Sequence, residues 1–209
     1  MYFLFDERSK TVHYQIVSSR RKTGFRGESM EYRTERFAAS IEVASYIDGY
    51  VAVEEFLACC RECPNYGQLW SCPPYDFDPL DLWRSFDTLT VIGYRITWAA
   101  PYTESEMDLV HDRIKQKIAA ELYEMESLSP GSLSLSAGSC QLCRACTRPC
   151  GEACRYPERL RYSIESLGGN VGKTVSDLCG IELEWIEEGK LPDHMVMVGG
   201  LLEKTARLS

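Results

Sequence analysis

Histidine is scarce in this sequence, with three among 209 residues, and His13, His111 and His194 all lie apart from the cysteines. That argues against a Rieske centre, which takes two histidines as ligands. No Ser/His/Asp triad, HExxH helix or Rossmann glycine fingerprint is recognisable either. No apolar run approaches the roughly 20 residues that a membrane-crossing helix requires. The start, Met1-Tyr2-Phe3-Leu4-Phe5, is apolar, but Asp6 and Glu7 interrupt it at once, so it has neither the basic flank nor the apolar length of a signal peptide. A cytoplasmic protein, with no membrane as partner, is the expectation. Positive charge is also in deficit: 23 Lys and Arg face 31 Asp and Glu, a net charge of −8, which argues against nucleic acid as a general partner.

What the sequence does have is a globular composition, 44% hydrophobic and 26% charged, and a length that fits one domain spanning residues 1–209. It also has ten cysteines. The cytoplasm keeps thiols reduced, so metal ligation explains them better than disulfides.

The expected fold is α+β, an αβ sandwich with a mixed sheet. Met1–Phe5 and Thr11–Val17 suggest two short strands around a turn, and Arg20–Glu28 suggests an exposed loop. Part of Arg33–Ile47 is strand-like, and Val51–Ala58 suggests a short helix. Thr88–Trp98 is the best strand in the chain and should be central. Thr103–Met125 follows as an amphipathic helix, with Glu104 and Glu106 in its first turn and Leu109, Ile114, Ile118 and Leu122 along its apolar stripe. Ser132–Ser136 alternates as a half-buried strand would, so a strand–helix–strand unit with parallel pairing is expected. Ile181–Ile186 and Met195–Val198 read as further strands, with a turn near Gly189–Pro192.

The strongest chemical signal is Cys140-x2-Cys143-x2-Cys146-x3-Cys150-x3-Cys154. Consecutive two-residue spacers let one loop wrap a cuboidal cluster, and the first four cysteines reproduce the bacterial ferredoxin run, with Gly151 where that run has proline. A [4Fe–4S] cluster is the leading reading. Structural zinc is the rival, although its two-cysteine knuckles are usually separated by a longer loop. Downstream, Pro157 with Leu160, Ile164 and Leu167 suggests a helix whose N-terminus would face the cluster. Arg144, Arg148, Arg155, Arg159 and Arg161 crowd the same segment, either as a solvated surface or as charge compensation and a docking face for an acidic redox protein partner.

A second group reads Cys59-Cys60-x2-Cys63-x8-Cys72-Pro73-Pro74. The prolines favour an extended Cys72 and stiffen the chain beyond it. Cys60, Cys63 and Cys72 are the candidate ligands with Cys59 as a possible fourth, against the alternative of a buried thiol packed among Tyr66, Trp70 and Tyr75. Gly168–Thr174 resembles a phosphate loop, but its glycine spacing is one short and no strand leads into it, so it reads as a join between helices. Cys179 reads as a core thiol.

Cys60-x2-Cys63-Pro64-Asn65-Tyr66-Gly67, Trp70-Ser71-Cys72-Pro73-Pro74 and Cys140-x2-Cys143-x2-Cys146 followed by Cys154-Arg155-Tyr156-Pro157-Glu158 together resemble an uncharacterised family of predicted metal-binding proteins, domain of unknown function 2284. The likeness runs from about Val51 to the C-terminus. It implies metal binding and places the fourth downstream ligand at Cys154, where ferredoxin spacing would place it at Cys150. It implies no reaction. Three functions remain: a redox module, an enzyme whose three upstream thiolates leave a metal position open to a small-molecule substrate, and a zinc-stabilised interaction protein.

Overall fold

In the computed structural model, residues 4–6, 11–13, 17–25, 28–186 and 190–205 are described, with side chains from residue 31 onward. The fold is α+β. Seven strands, β1 (Leu4–Asp6), β2 (Thr11–His13), β3 (Val17–Phe25), β4 (Glu28–Glu42), β5 (Thr88–Trp98), β6 (Leu133–Leu135) and β7 (His194–Glu203), form one sheet. Its order is β1-β2-β4-β5-β7-β6, with β3 also on β4. Among the described residues five α-helices accompany it: α1 (Val43–Tyr50), α2 (Val53–Arg61), α3 (Pro79–Arg84), α4 (Glu104–Leu128) and α5 (Val171–Cys179).

β5 is central, hydrogen-bonded along its length to β4 and β7. Its side chains alternate between two cores, as the two-residue period of a strand requires. Ile92, Tyr94 and Ile96 pack with Val110, Ile114, Ile118 and Leu122 of α4. Leu89 and Val91 face the opposite layer with Tyr46 of α1, Trp83 of α3 and Val175 and Leu178 of α5. The buried face of α4 therefore begins at Val110, whereas Leu109, expected in the apolar stripe, is 60% exposed. Thr103 and Glu106 form a reciprocal capping box at the start of α4, which satisfies amide donors that a helix N-terminus otherwise leaves unpaired.

The strand–helix–strand unit is present as β5-α4-β6, but its strands do not pair. β7 lies between them, antiparallel to both, so β5 and β6 run the same way one strand apart. All pairings between named strands are antiparallel, so the sheet is not mixed. β7 has the apolar length for an interior place, whereas the three residues of β6 suit an edge. Gly199 makes the placement possible: a Cβ there would stand 2.7 Å from both Leu122 Cδ1 and the Leu135 carbonyl.

Other expectations also need correction. Val17–Phe25 is a strand paired with Glu28–Arg36, not a loop, because the long β4 offers a ladder that local propensity does not foresee. Of the expected N-terminal pair, Leu4–Asp6 and Thr11–His13 are described and pair as β1 and β2, while residues 1–3, 7–10 and 14–16 lie outside those described. Ile181–Ile186 forms no strand. Ile181 and Leu183 pack on the core, while the Glu182 carbonyl and the Glu184 carboxylate hold the His194 ring at 2.8 and 2.9 Å. The expected turn near Gly189–Pro192 falls partly on residues 187–189, also outside those described.

The helix expected from Pro157 is absent as well. Single 3-10 turns at Pro157–Arg159 and Glu165–Leu167 flank non-helical chain. Ser136 bridges to Ser163 there, and its amide donates to the Tyr162 carbonyl at 2.8 Å. Gly168–Thr174, expected as a join between two helices, is one only as far as Asn170 and has a 3-10 turn before it: Val171–Thr174 lie inside α5, which Asn170 Oδ1 caps by accepting from the Lys173 amide at 2.8 Å.

Candidate metal centre

The upstream cysteines begin on α2, whose end carries Cys59 and Cys60. Successive tight turns then reverse the chain: the amides of Cys63, Tyr66, Gln68 and Cys72 donate to the carbonyls of Cys60, Cys63, Asn65 and Leu69 at 3.0 to 3.1 Å. Gly67, at φ 69°, donates to the Pro73 carbonyl at 2.8 Å. The result returns Cys72 to the neighbourhood of Cys60 and Cys63. These three thiols line a cavity of about 170 Å³ together with Ser163, Glu165 and Ser166. Cys59 is exposed and lies outside that lining.

The downstream run follows β6. Its loop is closed by Thr147, whose hydroxyl donates to the Ala153 carbonyl at 2.9 Å, and by Arg155, which donates to the Ala145 carbonyl at 2.9 Å. Between these ties the chain makes a 3-10 turn, Arg148–Cys150, ending at Gly151 with φ 70°. The turn carries Cys150 outward, where it is exposed, and lets the chain come back so that Cys154 rejoins the first three cysteines. Cys140, Cys143, Cys146 and Cys154 line one pocket, walled by Trp70 and Arg155; Cys150 does not take part.

The two cysteine loops are braced against each other. Arg148 donates to the carbonyls of Leu69 (2.7 Å), Cys72 and Pro74 and lies over the Trp70 ring. The Trp70 indole donates to the Glu152 carbonyl at 3.1 Å and to the Thr147 hydroxyl at 3.3 Å. The five arginines were read as a solvated surface or as charge compensation and docking, yet three of them are engaged within the chain: Arg148 here, Arg155 in its own loop, and Arg161 in a half-buried pair with Glu126.

Burial pushes the Cys140 thiol above its ordinary range, and the neighbouring Cys154, Cys143 and Cys146 push it the same way. Cys60 is raised by burial and by Cys63, Cys72 and Cys59. Cys72 is raised by burial, against the opposing hydrogen bond from Ser71. Thiols that disfavour each other's ionisation gain from a cation that removes their protons. Cys179, in contrast, is raised to about 11 by burial alone, the behaviour of an inert packed thiol.

Two residues that the sequence did not single out complete the surroundings. Lys115 is buried on α4; burial holds its ammonium below the ordinary lysine range, only partly offset by Asp112, Cys140, Glu165 and Cys72. It was hidden because a lysine stem on an apolar helix face looks like a surface residue. Glu165 was hidden because the spacing of Leu160, Ile164 and Leu167 imitates a helix. Its carboxyl is raised above the usual carboxylate range by burial, only partly offset by its own amide, the Ser163 hydroxyl and Lys115.

The donor chemistry, clustered thiols beside a buried cation, fits an anionic metal cluster. Among the described residues, no three Cys, His, Asp or Glu side chains gather closely enough to hold one metal ion, and no helix is long and apolar enough to cross a membrane. No curated protein and no solved structure matches the chain. The family model described as predicted metal-binding protein (DUF2284) matches residues 47–202, which include both cysteine groups, and the chain belongs to that family.

Proposed function

We propose that this protein is an iron–sulfur protein in which Cys140, Cys143, Cys146 and Cys154 hold a [4Fe–4S] cluster, and that it works as a redox module for a protein partner. The observation that carries the reading is the common pocket of those four thiols, from which Cys150 is turned away. A single zinc would draw four sulfurs to about 2.3 Å from one point. A cuboidal cluster instead gives each thiolate its own iron corner, and suits thiols that share a pocket without converging. The cluster supplies one-electron chemistry. Lys115 offsets its negative charge from the α4 side, and the partial exposure of all four cysteines leaves the cluster within reach of a docked partner.

The cavity lined by Cys60, Cys63 and Cys72 supports a second metal site, because the downstream loop already supplies its own four thiols. An enzyme acting through that second site is the alternative function. Anaerobic purification from iron-replete cells tests the main reading. Brown protein containing iron and acid-labile sulfide, bleached by dithionite, is expected; colourless protein with stoichiometric zinc would overturn it.

A further inference from the structure

Glu165 Oε2 exposes less than 1 Å² to solvent and has no hydrogen-bond partner, although the residue as a whole is only partly buried. An orphaned carboxylate oxygen in such a place is costly unless a cation or a proton meets it. The residue lines the same cavity as Cys60, Cys63 and Cys72. Its position is built in: the Ala52 amide donates to the Gly168 carbonyl at 2.8 Å, and Gly168 sits at φ 84° with room for no Cβ, which would fall 2.7 Å from Val53 Cα. That close approach presses the start of α2, the helix carrying Cys60, onto the turn carrying Glu165.

We propose that Glu165 is the fourth ligand of the upstream site, giving an iron–sulfur cluster held by three thiolates and one carboxylate. The proposal rests on the second-site reading above and makes it specific. Cys59 is the sequence's own candidate for the fourth position, but it faces solvent outside the cavity. Lys115, whose charge acts on Glu165, acts on Cys72 and Cys140 as well, so it suits a negatively charged centre better than a simple Glu–Lys pair. Glu165 also borders a second cavity, of about 400 Å³, lined by Val171, Leu183, Met195 and Met197. Glu165 would supply the oxygen ligand of one cluster corner. Carboxylate oxygen is a harder donor than thiolate and holds iron of this kind less firmly, so this corner is the one expected to lose its metal first.

Glu165→Gln separates ligation from packing, because the amide keeps the shape and imitates a neutral carboxylic acid. In anaerobically reconstituted protein, wild type should contain about eight irons per chain and Cys72→Ser about four. Glu165→Gln should fall to about seven and show, when oxidised, the paramagnetic signal of a three-iron centre. Glu165→Cys should restore the count and remove the signal. An unchanged iron content and a silent spectrum in Glu165→Gln would overturn the proposal, leaving a protonated structural acid. Loss of all upstream iron in both Glu165 variants would also overturn it, by making Glu165 a packing residue. So would a wild-type count unchanged by Cys72→Ser. Cys143→Ser reports separately on the downstream cluster: if it loses no iron, that reading fails while the Glu165 comparison still stands.

Discussion

The Cys140 amide donates to the Ser71 hydroxyl at 3.0 Å, joining the first downstream cysteine to the residue that precedes Cys72. Two cysteine groups separated by more than sixty positions therefore share a hydrogen bond, and the wall between their pockets is built from both.

The first prediction concerns the fourth downstream thiol. Cys154→Ser should abolish incorporation of the downstream cluster, and Cys150→Ser should be tolerated, because the Arg148–Cys150 turn directs Cys150 outward. Iron and sulfide analysis of the two variants decides it. The reverse pattern would restore ferredoxin spacing.

Arg148 provides the second. Its guanidinium serves three carbonyls of the upstream loop, so Arg148→Ala should lower stability by about 3 kcal/mol, the scale of several charge-assisted bonds less what water recovers. Arg148→Lys should not rescue it, since one ammonium cannot reproduce the planar fork. Chemical denaturation measures the loss, and the rate of bleaching in air should rise in both variants. Wild-type stability in Arg148→Lys would contradict the bracing role.

A third prediction follows from Glu126. Burial alone would raise its carboxyl, but the Arg161 guanidinium and the Ser134 hydroxyl and amide together hold it below the usual range. Because its folded pKa is depressed, its stabilisation is present above the unfolded value of about 4.3 and is lost as pH falls through the folded value. Glu126→Gln should cost about 1–2 kcal/mol at pH 7, between an exposed pair and a buried one because Glu126 and Arg161 are half-buried and partly screened. The gap from wild type should shrink in urea titrations near pH 3. A constant gap would disprove the linkage.

Gly199 gives the fourth. Since a Cβ there would meet Leu122 and the Leu135 carbonyl at 2.7 Å, Gly199→Ala should destabilise the chain by about 1–3 kcal/mol through overpacking between α4 and β6. Thermal melting should show it, whereas Gly131→Ala, where no atom lies near the added carbon, reports the separate cost of a positive φ.

The cysteine spacing, the central strand and the long α4 helix were legible because each is a local pattern with one dominant period. The position of β7 between β5 and β6 was not, since it depends on a backbone approach that only a glycine at residue 199 permits. Glu165 and Lys115 escaped for a related reason. Their meaning comes from facing two loops distant in sequence, and a 3-10 turn beside extended chain can copy the spacing of a helix. The arginine cluster was visible, but the targets of Arg148 within it, the carbonyls of residues 69, 72 and 74, carry no sequence signal.

Trp70 stands in the wall of the pocket formed by Cys140, Cys143, Cys146 and Cys154, fixed through its indole N–H. A chromophore absorbing in the near ultraviolet and visible, placed against that ring, would drain its excited state. Trp70, one of four tryptophans, would then act as an optical gauge: its emission should be dark while the pocket is filled and brighten as it empties, so that cluster loss could be followed in real time as the part of the emission that Trp70→Phe removes.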